Sequence, residues 1–295
     1  MLTIQQALSH PTVDRQTLLF ALAHLLGQNL AFLRLYDEEI LTKTQAALWK
    51  KWVVRLEAGE PLAYIIGKQD FWSMTFKVTA DTLIPRPDTE CLVEAARQSF
   101  TNDLPISVLD LGTGSGVIAI ALASERPKWS FIATDINEAA IEVAKKNAES
   151  LRRSGITFYQ GSWFDALPET QERFDLIVSN PPYIDSEDEH LEDLHFEPLS
   201  ALVAGEHGMK DLQEIIIKGF NWLNNNGWLM VEHGWDQGDL CRQLFDECGY
   251  EQVKTLRDFG GRERITIGLR PYGIDDFIPN IPAAVVLDDD EQPND

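Results

Sequence analysis

The sequence predicts an α/β protein, a doubly wound and mostly parallel sheet preceded by a small all-helical domain. Three stretches predict it. Val108-Leu109-Asp110-Leu111 runs into Gly112-Thr113-Gly114-Ser115-Gly116 and then into the apolar run Val117 to Leu122, which reads as strand, glycine-rich turn and helix. Phe131-Ile132-Ala133-Thr134 reads as a second strand and ends in Asp135, 19 residues beyond Gly116. Phe174 to Ser179 reads as a further buried strand, and it delivers Asn180-Pro181-Pro182-Tyr183 to the strand end where ligands bind in open α/β sheets.

The remaining elements follow in chain order. Thr3 with Gln6 forms a capping-box pattern, Asp14 can cap a second helix carrying Leu18, Leu22, Leu25 and Leu26, and Gly27 can close it. A third helix is expected over 29–41. A fourth, over 42–57, carries Leu48, Trp49, Trp52, Val53 and Leu56 at helical spacing, a pattern that fits core better than a cofactor box. From Asp70 to Pro85 the pattern shortens to Phe71, Met74, Phe76 and Val78, which reads as a hairpin linker. Ala139 to Leu151 and Asp211 to Leu223 read as helices, Ile156 to Gln160 and Trp228 to His233 as strands, and Arg264 to Leu269 as a closing strand of alternating apolar residues. The long acidic segment between Ile184 and Gly208 has no period, and reads equally as a lid or a solvated excursion. The expected domains are a helical domain (1–69), a hairpin linker (70–90), a ligand-binding catalytic domain (91–272) and an acidic disordered tail (273–295).

Composition narrows the function. A chain of 295 residues, 44% hydrophobic, can bury a full core. It carries 47 acids against 25 bases, a net charge of −22, whereas a nucleic-acid footprint needs a clustered basic surface. No direct nucleic-acid contact is expected. No apolar run is long enough for a bilayer, and Met1 to Gln6 lacks the charged lead-in of a signal sequence, so a soluble cytoplasmic chain without membrane contact is expected. Cys91, Cys241 and Cys248 form no C-x-x-C pair, and the six histidines form no metal-type pair on a helix face, so neither zinc, another metal nor a disulfide is expected.

The two loops indicate the chemistry. Gly112, Gly114 and Gly116 allow a tight turn and close approach to a ligand, the following helix offers unpaired N–H groups, and Asp135 is placed to bond ribose hydroxyls. The spacing is G-x-G-x-G with Val117 at the sixth position, which departs from the nicotinamide fingerprint. In Asn180-Pro181-Pro182-Tyr183 the prolines remove backbone donors. Oxygen acceptors there suit a planar NH2 group, with the Tyr183 ring packed against the flat group it belongs to.

Together, Asp110 to Gly116, Asp135 and Asn180 to Tyr183 resemble the class I S-adenosylmethionine-dependent methyltransferases that methylate a planar nitrogen. Thr82-Leu-Ile-Pro-Arg-Pro-Asp-Thr-Glu90, Gly59 to Gly67, Phe71-Trp72, Phe196 to Leu202 and Glu232-His-Gly-Trp235 are similar to the peptide chain release factor N5-glutamine methyltransferase family, over about residues 1–271. The resemblance implies a seven-stranded mixed sheet with an antiparallel edge pair. It also implies transfer of a methyl group from S-adenosylmethionine to the glutamine of the Gly-Gly-Gln tip of bacterial class 1 release factors, with S-adenosylhomocysteine as product. The close paralogue, which acts on a ribosomal protein, normally lacks the run Pro87 to Glu90 after Ile-Pro-Arg, so Arg86 to Glu90 favour the release-factor branch.

The resemblance further implies a division of roles. Gly112, Thr113, Gly114, Ser115, Gly116, Asp135, Trp163 and Asn180 hold the cofactor, Trp163 by stacking on adenine. Asn180, Pro181 and Tyr183 are catalytic, and Arg86, Glu90 and Asn180 to Tyr183 contact the acceptor, while the helical domain helps to recognise the protein substrate. Ser162 stands where the family commonly has Asp, which weakens any contact there to the adenine amino group. A monomer is expected. Three rivals share parts of the pattern: a nucleobase amino-methyltransferase, a nicotinamide-dependent oxidoreductase, which leaves NPPY unexplained, and a non-catalytic S-adenosylmethionine sensor.

Overall fold

The computed structural model describes residues 1–100 and 104–274; from residue 275 on, the expected acidic tail lies outside the described residues. The chain divides into two compact units, Met1–Gln69 and Asp70–Asp295. Among the described residues no helix is long and apolar enough to cross a membrane.

The first unit is helical: α1 (Ile4–Ala7), α2 (Arg15–Leu26), α3 (Leu30–Leu35), α4 (Lys43–Glu57) and α5 (Leu62–Ile66). Local chemistry sets their ends. Thr3 and Gln6 exchange both capping-box bonds, Asp14 accepts from the Thr17 amide at 2.9 Å, and Gly27 closes α2 with φ 64°. Thr42 and Gln45 repeat the capping box at α4. Helix α3 is far shorter than the 29–41 expected, because residues 37–41 leave the helix to bond the N-terminus: the Gln5 amide donates to the Asp37 carbonyl, Ile4 to Glu39, and Leu41 to Leu2. Leu18, Leu22, Leu33, Trp49, Val53 and Leu56 fill the core, while Leu48 is exposed.

Strands β1 (Lys68–Phe71) and β2 (Met74–Lys77) form a two-stranded hairpin. Its turn residues Trp72 (φ 50°) and Ser73 (φ 57°) are both left-handed, the geometry that matches strand twist in a two-residue hairpin, here without glycine or asparagine. Outside contacts hold the turn: the Trp72 amide donates to Glu90 Oε1 at 2.8 Å and its indole to Glu125 at 3.0 Å.

The second unit continues with α6 (Glu90–Ser99), β3 (Ser107–Leu111), α7 (Val117–Glu125), β4 (Ser130–Asp135), α8 (Glu138–Ser150), β5 (Ile156–Gln160), β6 (Phe174–Ser179), α9 (Lys210–Trp222), β7 (Leu223–Glu232), α10 (Gly238–Glu247), β8 (Glu251–Arg257) and β9 (Glu263–Leu269). The seven strands from β3 on are ordered β5-β4-β3-β6-β7-β9-β8, parallel from β5 to β7, with β9 antiparallel to both neighbours. Period-2 alternation splits the strand residues between two cores. Val108, Phe131, Ala133, Leu176 and Val178 pack with α6 and α7 on one face, and Leu109, Leu111, Ile177 and Val231 with α9 and α10 on the other. Helix α7 is buried from Val117 through Ala123, which explains its unbroken apolar run. Strand β9 is also buried on both faces, because it is inserted between β7 and β8 and leaves β8 as the edge.

Candidate active site

The chain leaves β3 toward β4 and β5 on one side and later fills β6 and β7 on the other, so the crevice between β3 and β6 is the topological switch point. Register places the predicted residues there. Leu111 is level with both Thr134 and Ser179, and Ser179 is level with Val231. The next residue of each strand therefore lies in one row: Asp135, Gly112, Asn180 and Glu232. The Ser179 hydroxyl ties β6 to the Leu111 carbonyl at 2.8 Å.

The glycine loop is held by two carboxylates. Asp110 is fully buried; its Oδ2 accepts from the Thr113 hydroxyl (2.6 Å) and the Ala119 amide (3.2 Å), while Oδ1 meets no donor among the described residues. Burial pushes its pKa up to about 7, against those two bonds and with a push from Asp135 in the same direction. Asp135 accepts from the Gly114 amide (2.8 Å) and the Asn137 amide (2.9 Å), and burial raises its pKa too. Each oxygen of Asp135 has a second lone pair, which a ligand hydroxyl can use.

Gly112 has φ 69°, and a Cβ there would stand 3.0 Å from the Trp163 ring. That contact shows how closely the ring crosses the strand end. Trp163 itself is left-handed (φ 40°), a strained geometry of the kind that gathers at ligand sites, and Asp211 on α9 lines the same cavity. The ring packs on the apolar cluster beneath it and also lines a cavity of about 360 Å³.

Gly112, Thr113, Gly114, Ser115, Asp135, Ser162, Trp163, Asn180 and Pro182 all line this cavity. A second cavity of about 380 Å³ is lined by Pro181, Tyr183, Ile184 and Leu194, and shares Leu83, Arg86, Asn180 and Ala201 with the first. Asn180 thus stands on the partition between two chambers, which is what a transfer between two bound molecules requires. Its Nδ2 donates to Thr89 Oγ1 at 3.1 Å, so Oδ1 is the end left to meet a ligand. The Tyr183 carbonyl accepts from Gln237 Nε2 at 3.0 Å and its hydroxyl donates to Glu232 at 3.4 Å. Burial raises the Tyr183 pKa further above the phenol range, so the hydroxyl stays protonated.

Three expected residues stand elsewhere: Pro182, expected against the acceptor, lines the first cavity and not the second, and two others line neither. Gly116 is absent from the lining; it starts α7 with φ 86°, and its Cα faces Ile120 and Ala144. Glu90 lines neither cavity, because its carboxylate is taken by the Trp72 amide. Arg86 reaches both cavities and pairs with Glu197 (2.5 Å), which also accepts from the Ile84 amide at 3.0 Å. Glu197 is 5% exposed, so the acidic excursion of 184–208 is anchored at the site and supplies Pro198, Ser200, Ala201 and Val203 to the cavity wall. Thr89, Glu197 and Glu232 lie in stretches that carry the family resemblance but were given no site role from sequence, and Asp211 carries no local signal. Among the described residues no group of His, Cys, Asp and Glu could hold a metal ion.

Comparison with known proteins agrees with this geometry. A family model described as a methyltransferase domain matches residues 104–266, and one described as the PrmC N-terminal domain matches residues 7–67. The release factor glutamine methyltransferase of Aliivibrio fischeri is 45% identical over 88% of this chain and 90% of its own. That of Escherichia coli K12 is 45% identical over 89% and 94%. Among solved structures, a methyltransferase from Pyrococcus furiosus shares the fold with a TM-score of 0.53 at 17% identity, covering 75% of this chain and 99% of that one. Matched in both units and at this identity, the chain belongs to the release factor glutamine methyltransferase family.

Proposed function

We propose that this protein transfers a methyl group from S-adenosylmethionine to the side-chain amide nitrogen of the glutamine in the Gly-Gly-Gln motif of bacterial class 1 release factors. The observation that carries the reading is the position of Asn180 between two chambers, with its NH2 engaged and its oxygen unengaged. The chamber bounded by the glycine loop, Asp135 and Trp163 fits the cofactor: loop amides for its polar end, a carboxylate for ribose hydroxyls and an aromatic plane for adenine. The chamber bounded by Pro181, Tyr183 and Arg86 fits the glutamine side chain. Held in the first chamber by the glycine loop, Asp135 and Trp163, S-adenosylmethionine would supply an electrophilic methyl on a sulfonium.

An amide nitrogen is a poor nucleophile because its lone pair is delocalised, so the enzyme must align it and exclude water. In this reading Asn180 Oδ1 and the Pro181 carbonyl accept the two amide hydrogens, which fixes the nitrogen's open face and stabilises the positive charge that develops on it. With S-adenosylmethionine in the first chamber, transfer would exchange the donor's S–C bond for the new N–C bond and leave a neutral thioether, while Asn180 Oδ1 and the Pro181 carbonyl hold the nitrogen until its surplus proton passes to solvent. Tyr183 walls the slot and, held protonated, is no base. The Asp135 carboxylate and loop amides bind and orient; they take no proton. Arg86, fixed by Glu197, shapes the wall shared by the chambers. The first unit helps to grip the release factor, and the work belongs in the cytoplasm, on protein rather than nucleic acid.

The test is to incubate the protein with methyl-labelled S-adenosylmethionine and a purified bacterial release factor, with ribosomal proteins and DNA in parallel, and to map label by peptide mass spectrometry. The reading expects one added methylene on the Gly-Gly-Gln glutamine alone. Label on a ribosomal protein or on DNA would overturn the substrate, and no label would favour a sensor.

A further inference from the structure

Arg86 stands on the wall shared by the two chambers, so its charge bears on both. Three carboxylates, Asp81, Asp135 and Asp211, also line the first chamber, which suits a donor that carries a sulfonium cation. In the second, among the described residues, Arg86 is the one charged side chain of the lining. An unbalanced guanidinium there would make the chamber a carboxylate site, since its planar fork matches a carboxylate, and it would repel a cation next door. Neither effect suits a reaction that takes a cationic donor and a neutral amide.

Glu197 supplies the balancing charge from behind the wall. It lines neither chamber, and its side chain is 3% exposed against 35% for Arg86. One carboxylate oxygen accepts from Arg86 Nη2 at 2.5 Å and the other from the Ile84 amide at 3.0 Å, so the carboxylate is fixed at both ends. The wall therefore offers guanidinium N–H donors to the chambers without a net charge. The next residues of the chain, Pro198, Ser200 and Ala201, complete the lining of the first chamber, so the carboxylate that balances the wall also anchors it.

We infer that Glu197 is a positioning residue which, acting through Arg86, cancels the charge of the shared wall and so sets two preferences: for cationic S-adenosylmethionine over its neutral product, and for glutamine over glutamate as the acceptor. The first preference needs only the cofactor chamber, while the second rests on the reading of the other chamber as the glutamine slot. Because Glu197 lines neither chamber, its loss shifts the ratio between ligands that differ in charge, which a merely structural contact would not do.

The test measures two ratios on the full-length protein. Calorimetry gives Kd for S-adenosylmethionine and for S-adenosylhomocysteine, and a release factor carrying Gly-Gly-Glu is measured as an inhibitor of Gly-Gly-Gln methylation. Glu197→Gln keeps an oxygen for the Ile84 amide and removes the charge. A partly exposed unit charge left at the wall is expected to cost S-adenosylmethionine about 10-fold in affinity relative to S-adenosylhomocysteine, and to lower Ki for Gly-Gly-Glu about 10-fold relative to KM for Gly-Gly-Gln. Arg86→Gln leaves Glu197 unbalanced instead and is expected to move both ratios the opposite way, so it carries the test should Glu197→Gln lower the melting temperature. The double variant, neutral again, is expected to return both ratios close to wild type. Ratios unchanged in both single variants, whatever the separate affinities do, would overturn the inference while leaving the methyl-transfer reading intact. Absence of label on Gly-Gly-Gln with the wild type would overturn that reading and the acceptor preference with it, and the S-adenosylmethionine ratio would still decide the other.

Discussion

Asp110→Asn should change how stability depends on pH, in a direction the structure fixes. Asp110 is fully buried beneath the glycine loop with one oxygen unpartnered, and its pKa is raised from 3.8 to about 7. The folded protein then holds a proton that the unfolded chain has already released. Its stabilising contribution is complete below the unfolded pKa and is lost as pH rises through the folded value. Between about pH 5.5 and about pH 8.5 the wild type should lose about 2 kcal/mol relative to the variant, which has no proton to lose. Asparagine keeps an oxygen for the Thr113 hydroxyl and the Ala119 amide and sets its NH2 where the unpartnered oxygen was. Urea unfolding of both proteins at the two pH values measures the difference, and subtraction cancels the other buried carboxyls, Glu232 included. Parallel curves, with the same gap at both pH values, would refute the claim that Asp110 carries a burial-raised pKa.

Three further outcomes follow from the site. Trp163→Ala should weaken S-adenosylmethionine binding by about 10-fold, the scale of a lost base-stacking contact, as read by calorimetry. Gly116→Ala should cost about 2 kcal/mol of stability in thermal unfolding, because φ is 86° and the new Cβ would stand 2.9 Å from Ile120 Cδ1 and 3.1 Å from the Ala144 Cβ. A release factor carrying Gly-Gly-Glu should be methylated about 10⁴-fold more slowly than Gly-Gly-Gln, since two oxygen acceptors would face a carboxylate; comparable label by scintillation counting would sink the slot.

Much of the fold was legible because its strands are short apolar runs that end in chemically marked residues. Gly112, Asp135 and Asn180 each close or follow such a run, and parallel register brings those ends into one row. Helix starts at Thr3 and Asp14 were legible because a cap is a local contract between residues three apart, whereas the Thr42–Gln45 capping box went unread and that helix was placed by its apolar spacing. What was not legible depends on tertiary contact. The hairpin turn at Trp72 and Ser73 is held by Glu90 and Glu125, not by turn-forming residues. The 184–208 excursion has no period, yet one buried carboxylate, Glu197, fastens it to Ile84 and Arg86. Thr89, which accepts from Asn180, lies 91 positions away ahead of α6, and Glu232, 52 positions away, reaches the same row only through the pairing of β6 with β7.

The most direct test of the account is Asn180→Ala, assayed twice on the same preparation: single-turnover methyl transfer to a release factor, and calorimetric binding of S-adenosylmethionine. Asn180 is assigned to the charge that develops on the acceptor nitrogen, so transfer should fall by about 100- to 1,000-fold while cofactor affinity changes by no more than about 3-fold. Transfer at close to the wild-type rate would contradict the account, because the amide nitrogen would then be presented by something other than the residue on the partition between the two chambers.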